Sequence, residues 1–152
     1  YEVKKLSLTN PIVVSPDVGG VKRARNLAYA LDVPMAVMEK KRFLDRHDES
    51  ETYQIIGDVK GKSVIIIDDI ISTAGTILNG TKALKNAGAE TIVVAATHGV
   101  FAGDAVKNLD AAPIDYLFVT DSIHHKNRVL PKKLHVVSLA PLIAKAISTI
   151  AR

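Results

Sequence analysis

Residues that can do chemistry gather in one stretch near the middle of the chain. The apolar run 63–67 leads into two consecutive carboxylates, Asp68 and Asp69. A short loop follows two residues later, rich in hydroxyl groups and small side chains, namely Ser72, Thr73, Ala74, Gly75 and Thr76. A helical pattern then begins. Backbone N–H groups, hydroxyls and the positive end of a helix dipole together can hold a phosphate, so this stretch predicts a phosphate loop.

The two carboxylates would bind a different chemical group from the phosphate that the loop would bind. Consecutive side chains of a strand point to opposite sides, so we do not expect Asp68 and Asp69 to act as one acid–base pair. They are better suited to a polyhydroxyl ligand such as a ribose, or to a metal bound to it. The alternative is a plain strand–loop–helix junction with a Ser/Thr cap.

Three other segments place polar groups after predicted strands. The first is the loop 15–20, whose sequence is Ser-Pro-Asp-Val-Gly-Gly. The second is Lys40-Lys41-Arg42, which precedes a nearly all-polar stretch, 43–52, predicted to be a long loop. The third is His98. In isolation these residues are also compatible with an ordinary turn, a solvated face and a structural histidine. His124 and His125 are adjacent and do not have helical ligand spacing, so we assign no metal to them.

The order of elements indicates the fold. Apolar runs predict strands at 11–14, 35–38, 63–67, 91–96, 116–120 and 134–137, with an edge strand within 53–59. Helical periodicity predicts helices at 21–31, 76–87, 104–109 and 140–150. This alternation predicts an α/β protein, a three-layer, open, mostly parallel sheet with helices on both faces. Lys22, Arg23 and Arg25 are assigned to the surface of the first helix.

In such a sheet, ligands bind beyond the carboxyl ends of the strands. The polar residues that follow strands should therefore converge on one edge. They are Asp17, Lys40, Asp68, Asp69, His98 and Asp121.

Composition narrows the class of protein. The 152 residues, 47% apolar and 24% charged, suit a single globular domain over 1–152. No apolar run reaches membrane-spanning length, and the net charge of +4 lacks the Lys/Arg runs and interleaved aromatics that favour nucleic acid. The lack of cysteine is compatible with a reducing cytoplasm, where we expect the protein. Because the sequence begins with Tyr1, we expect a piece of a longer chain.

The motifs together resemble a known family. The central stretch resembles the phosphoribosyl pyrophosphate-binding motif of the type I phosphoribosyltransferase fold. The segments 13–21, 56–62, 96–101, 119–123 and 139–142 resemble the ribose-phosphate pyrophosphokinases, in the same order, over about 11–150. The similarity is to the C-terminal half of that family's two-domain chain, so the N-terminal domain with much of the ATP pocket is missing here.

The resemblance implies an activity and assigns roles. Family members use Mg²⁺ to transfer pyrophosphate from ATP to ribose 5-phosphate, which gives phosphoribosyl pyrophosphate and AMP, and they are homo-oligomers, often hexamers. By resemblance, ribose 5-phosphate is bound by Arg42 and the central motif, namely Asp68, Asp69, Ser72, Thr73, Ala74, Gly75 and Thr76. Pyrophosphate is bound by Asp17, Val18, Gly19 and Gly20, with Asp17 also binding Mg²⁺. Lys40 and Arg42 match the catalytic cations, and this chain alone should lack synthetase activity.

Two departures keep other functions open. Lys41 stands where the family pattern has arginine, and Ser72 stands where it has aspartate. A non-catalytic regulatory homologue of the synthetase would tolerate both changes. A stand-alone nucleobase phosphoribosyltransferase would share the central motif but needs a hood segment for the base, which the sequence does not show.

Overall fold

One sheet organises the part of the chain that the structure, a computed structural model, describes: residues 2–41 and 52–151. Its strands are β1 (Ile12–Ser15), β2 (Met35–Lys41), β3 (Thr52–Ile56), β4 (Ser63–Ile71), β5 (Thr91–Gly99), β6 (Tyr116–Thr120) and β7 (Leu134–Val137). Their order is β3-β2-β1-β4-β5-β6-β7. Only β3 runs antiparallel to its neighbour, β2, and the other described pairs are parallel. The predicted mostly parallel sheet is confirmed.

Helices cover both faces of this sheet. They are α1 (Val21–Leu31), α2 (Gly75–Asn86), α3 (Ala105–Ala111) and α4 (Ala140–Ile150), preceded by a short 3-10 helix, Glu2–Lys5. Apolar side chains of α1 pack with Ile65 on one face, whereas those of α2 and α3 pack with Ile66 on the other. The central strand β4 is an apolar run because both of its faces are buried in this three-layer arrangement.

Two central strands are longer than their apolar runs predict. β4 and β5 continue to pair through Ile70 opposite His98 and Ile71 opposite Gly99. Asp68 and Asp69 therefore lie within the strand, and His98 lies within β5, instead of following these strands. At Gly99 a Cβ atom would lie 2.7 Å from the ring of Phe101, so the end of the β4–β5 pair requires glycine at this position.

The second strand also exceeds its prediction. β2 pairs with β3 as far as Lys41 opposite Thr52, and Lys40 lies opposite Tyr53. Lys40 is therefore part of a strand and not of a loop. Residues 42–51, which include Arg42 and most of the predicted long loop, lie outside the described residues.

The last helix differs from the others in its burial. α4 contains no buried residue, and its apolar side chains Leu142, Ile143, Ile147 and Ile150 are 53–85% exposed. None of the helices in the described ranges has both the length and the apolar character that a membrane span requires.

Candidate functional site

The carboxyl ends of the parallel strands bring the predicted polar residues to one edge of the sheet. Asp121 differs from the others because its carboxylate binds Ser138 and Leu139, the two residues that precede α4. It accepts hydrogen bonds from the Ser138 hydroxyl at 2.6 Å and from the Leu139 N–H at 2.8 Å. These two bonds lower the pKa of Asp121. These bonds therefore connect Asp121 to the residues that precede α4.

The loop between β1 and α1 is held by its own side chains. The Asp17 Oδ1 atom accepts the Gly20 N–H at 2.7 Å, and the buried Ser15 hydroxyl donates to the Asp17 carbonyl at 2.7 Å. A Cβ atom on Gly20 would lie 2.9 Å from the Ser15 hydroxyl, so the loop closes only around glycine. Asp17, Val18 and Gly19 are exposed at its tip. This arrangement presents a carboxylate and backbone groups to solvent in a fixed shape.

The loop between β4 and α2 is held by the neighbouring loop and helix. The Ala102 N–H donates to the Ser72 carbonyl at 3.0 Å, and the side-chain amide of Asn108 donates to the Thr73 carbonyl at 2.8 Å. Ala74 is buried and adopts a left-handed conformation with φ of 59°. Such a conformation costs a non-glycine residue about 1–2 kcal/mol. The loop is therefore held in a strained shape by groups outside it.

The N-terminus of α2 is suited to an anion. No side chain caps it, and its first turn carries no acidic residue. The first N–H groups of a helix lack partners within the helix, and the helix dipole favours negative charge there. The side chains of Ser72, Thr73 and Thr76 are exposed around these groups, and the space beside Gly75 is open. Hydroxyls and N–H donors thus surround a position that a phosphate can occupy.

The acidic pair has a partner that the sequence interpretation missed. Arg23, assigned to the helix surface, is half-buried and donates from Nη1 to Asp68 Oδ1 at 2.8 Å and from Nη2 to Asp69 Oδ2 at 2.6 Å. One guanidinium therefore binds both carboxylates, although consecutive side chains of a strand were expected to point to opposite sides. The only sequence signal was the position of Arg23 in the first turn of α1, directly after the loop 15–20.

The environment separates the two carboxylates electrostatically. Burial raises the pKa of Asp68. A hydrogen bond with Asp68 and the Arg23 charge lower the pKa of the more exposed Asp69. Asp69 therefore stays ionised to a lower pH than Asp68.

His98 lies beside Ser122, in the segment that follows β6. His98 Nδ1 lies 2.9 Å from the Ser122 hydroxyl, which also donates to the Thr97 carbonyl at 3.0 Å. This connection supports the structural interpretation of His98. Residues 2–41 and 52–151 contain no group of three or more His, Cys, Asp or Glu side chains that could hold a metal ion. A cation at this edge would need ligands from a bound anion as well.

Comparison with known proteins identifies the family. The model of the phosphoribosyl synthetase-associated domain matches residues 45–152, more than half of the chain. The chain belongs to this family. The chain is 48% identical over 139 residues to the ribose-phosphate pyrophosphokinase of Thermotoga maritima, and the aligned region covers 91% of the chain and 43% of that protein. It is 45% identical over 150 residues to the enzyme of the same name from Aquifex aeolicus, covering 99% of the chain and 47% of that protein.

Solved structures agree with this assignment. The phosphoribosylpyrophosphate synthetase of Mycobacterium smegmatis matches with a TM-score of 0.78 and 36% identity, over 93% of this chain and 45% of that one. An adenine phosphoribosyltransferase matches with a TM-score of 0.58 and 22% identity over 78% of this chain and 71% of that one, which shows a shared fold only. The predicted resemblance and the type I phosphoribosyltransferase-like fold are confirmed. The chain spans about half the length of the curated relatives it matches.

Proposed function

We propose that this phosphoribosyl synthetase-associated domain is the sugar- and pyrophosphate-binding half of a ribose-phosphate pyrophosphokinase. The whole protein would transfer pyrophosphate from ATP to the 1-hydroxyl of ribose 5-phosphate, giving phosphoribosyl pyrophosphate and AMP. The observation that carries the proposal is the uncapped N-terminus of α2 beside Asp68 and Asp69. It offers donors for a phosphate next to acceptors for sugar hydroxyls. The name of the relatives, which are 45–48% identical, supports the same activity.

The sugar would lie along the central motif. Its 5-phosphate would accept N–H and hydroxyl bonds from Ser72, Thr73, Ala74, Gly75 and Thr76. Its hydroxyls would donate to Asp68 and Asp69. Asp69 suits this role because its lowered pKa keeps it an acceptor over a wide pH range.

The pyrophosphate would lie at the first loop. Asp17, Val18, Gly19 and Gly20 would form its site. The exposed tip, Asp17 to Gly19, would present backbone N–H groups and one carboxylate, whereas the buried Gly20 would shape the loop, because its own N–H already donates to Asp17 Oδ1. Mg²⁺ is usually held by one or two carboxylates together with substrate phosphates and waters, so the single exposed carboxylate of Asp17 fits a magnesium ion that arrives with an anionic ligand. Bound there, the ion would offset the negative charge of the phosphates.

The cations Lys40 and Arg42 would assist the transfer. Lys40 lies near the end of β2 and is half-buried. Positive charge aimed at the transferring group stabilises the charge that develops on it, and this is a large contribution in phosphoryl-type transfers. Arg42 is assigned by resemblance alone.

We further propose that the remainder of a longer chain, or other subunits, covers α4. The whole protein would contain an N-terminal domain with much of the ATP site and would assemble as a homo-oligomer in the cytoplasm, hexameric as in the family. The exposed apolar side chains of α4 support this, because contiguous apolar surface commonly marks a protein interface. A full-length protein that stays monomeric in analytical ultracentrifugation would contradict the assembly.

Binding and turnover test the proposed activity separately. Calorimetric titration of the full-length protein should show binding of ribose 5-phosphate and at least tenfold weaker binding of ribose, which lacks the phosphate. Asp69→Asn should weaken ribose 5-phosphate binding, whereas Asp104→Asn, an exposed carboxylate at the start of α3, should not.

Turnover distinguishes the alternatives. Lys40→Ala should reduce ATP-dependent synthesis of phosphoribosyl pyrophosphate by about 10²-fold or more. A low activity that Lys40→Ala leaves unchanged would point to a regulatory homologue. Consumption of phosphoribosyl pyrophosphate that depends on a nucleobase would point to a nucleobase phosphoribosyltransferase.

A further inference from the structure

Arg23 connects the two halves of the site. It lies in the first turn of α1, which begins directly after the loop 15–20. Its guanidinium reaches across to Asp68 at 2.8 Å and Asp69 at 2.6 Å on β4. Its side chain is 35% exposed, that of Asp68 is 30% exposed and that of Asp69 is 59% exposed, so solvent screens the contact with Asp68 only partly and the contact with Asp69 more strongly.

The contact places one cation between two anions. A planar guanidinium presents several N–H donors in a fixed geometry, so it can bind two carboxylates at once, which a lysine cannot match. Divalent cations are the other common bridge between neighbouring carboxylates. Here the Arg23 guanidinium bridges Asp68 and Asp69. The described residues contain no cluster of three or more potential metal ligands around it.

The carboxylates keep acceptor capacity for a ligand. The Asp69 N–H donates to Asp68 Oδ1 at 2.8 Å, and the Ile70 N–H donates to Asp69 Oδ1 at 2.9 Å. With Arg23, each carboxylate thus accepts two hydrogen bonds from N–H donors. A carboxylate has about four acceptor positions, so sugar hydroxyls can bind without displacing the guanidinium.

We propose that Arg23 is a positioning residue for the sugar, an internal counter-ion that holds the acidic pair ready to accept ribose hydroxyls directly. It acts through Asp68 and Asp69 and does not touch the transferring group. Its charge also offsets two negative charges that would otherwise repel the phosphate bound at the loop 72–76. This inference rests on the proposed function, because it assumes that a sugar phosphate binds there.

Sugar binding provides the first test, carried out on the full-length protein. Calorimetric titration with ribose 5-phosphate should show about tenfold or greater loss of affinity in Arg23→Ala, because charge-assisted bonds that order the acceptors are lost. Arg23→Lys, which keeps the charge without the fork, should be intermediate. Lys22→Ala is the matched control, since it removes a positive charge from the same turn of α1, at an exposed position. In turnover assays, KM for ribose 5-phosphate should rise more than kcat falls.

Cation binding provides a second test that needs no sugar. Mn²⁺ titration followed by electron paramagnetic resonance should show one more bound ion in Arg23→Ala than in the wild type, because the pair then lacks its counter-ion. The double variant Arg23→Ala/Asp69→Asn should lose that extra ion. Circular dichroism checks the fold of each variant, and Arg23→Lys serves in the sugar test if Arg23→Ala does not fold.

The outcomes separate this inference from the proposed function. If the wild type binds ribose 5-phosphate and neither Arg23 variant weakens it, or Lys22→Ala weakens it equally, Arg23 has no positioning role and the proposed function stands. If the wild type does not bind ribose 5-phosphate, the proposed function fails. The manganese titration then decides the counter-ion role: an additional ion in Arg23→Ala supports it, and an unchanged count overturns it.

Discussion

Gly20→Ala should disrupt the loop 15–20 although its backbone conformation suits alanine. Gly20 has φ of −81° and ψ of −6°, which any L-residue adopts. The obstacle is steric, because the new Cβ atom would lie 2.9 Å from the Ser15 hydroxyl oxygen and 3.4 Å from Asp17 Oδ1. Ser15 is fully buried, and its hydroxyl donates to the Asp17 carbonyl at 2.7 Å, so it cannot rotate away without losing that bond.

The size of the effect follows from these contacts. Losing a buried hydrogen bond costs about 1 kcal/mol, and overpacking a well-packed site costs about 1–3 kcal/mol. If the Ser15 hydroxyl moves, its hydrogen bond is lost, and if the backbone moves, the overpacking is relieved by strain. The two costs are therefore alternatives in part and do not simply add. We therefore expect Gly20→Ala to lower the free energy of unfolding by about 2 kcal/mol. Pyrophosphate affinity should fall as well, since the exposed tip shifts with Gly20.

Gly80→Ala is a matched control with the opposite expected outcome. Its Cβ atom would lie 3.0 Å from the Met38 Cε atom, nearly the same overlap as at Gly20. The atom it meets is the end of an unbranched, adaptable side chain, and Gly80 lies inside α2, where alanine favours the helix by about 1 kcal/mol. We expect Gly80→Ala to leave stability unchanged or raised.

Urea unfolding of both variants measures the difference. Equal losses of stability in the two variants would refute the steric argument, because only the mobility of the contacted atom separates them. A double-mutant cycle adds a sharper criterion. Ser15→Ala removes the obstructing hydroxyl, so it should make Gly20→Ala less costly than in the wild-type background. If the stability changes of the two substitutions simply add, the Ser15 hydroxyl is not the group that prevents a Cβ atom at position 20.

Three further predictions concern pH and charge. Hydrogen bonds from Ser138 and Leu139 hold the pKa of Asp121 below its unfolded-state value of about 3.9, so their contribution to stability is present above that value and is lost as pH falls through the folded pKa. Asp121→Asn should therefore speed amide exchange at Leu139 at pH 7 and much less at pH 3. Burial lowers the pKa of His125, whose ring stacks on Phe101 with 5.2 Å between the ring centroids, so folding disfavours its charged form. The free energy of unfolding should therefore decrease as the pH drops below about 6.5. His125→Phe should raise Tm more at pH 5.5 than at pH 7.5, and an equal increase at both pH values would contradict this. Ser72→Asp should leave Tm within about 2 °C because the side chain is exposed. It should also lower the Mg²⁺ concentration that gives half-maximal activity of the full-length protein, and an unchanged magnesium requirement would show that this position does not affect metal binding.

Much of the fold could be predicted because its signals are local. The bounds of α1, Val21–Leu31, follow from helical periodicity, and the apolar run of β4 identifies the centre of the sheet. The ends of β4 and β5 could not be predicted in this way. Their last pairs, Ile70 with His98 and Ile71 with Gly99, are formed by backbone groups, which pair whatever side chains they carry. An apolar run therefore gives the minimum length of a strand and not its end.

The candidate site was predictable to a lesser degree. Residue types and their position after strands indicated both loops and the acidic pair. The partner of that pair could not be found, because Arg23 is separated from Asp68 by 45 residues and only the tertiary structure brings them together. The contacts of Asp121 could not be predicted either. Its position after β6 suggested the site, while its hydrogen bonds connect it to the residues that precede α4.

The two loops of the site owe their shapes to different atoms, and this bears on the serine at position 72. The loop 15–20 depends on its side chains, because Ser15 and Asp17 close it themselves. In the loop 72–76, by contrast, the contacts from Ala102 and Asn108 end on backbone carbonyls. Its shape is therefore compatible with serine or aspartate at position 72, since either residue provides the same carbonyl. Serine in place of the aspartate expected from the family pattern would thus change the charge near the proposed ligand while leaving in place the backbone that we propose binds the anion.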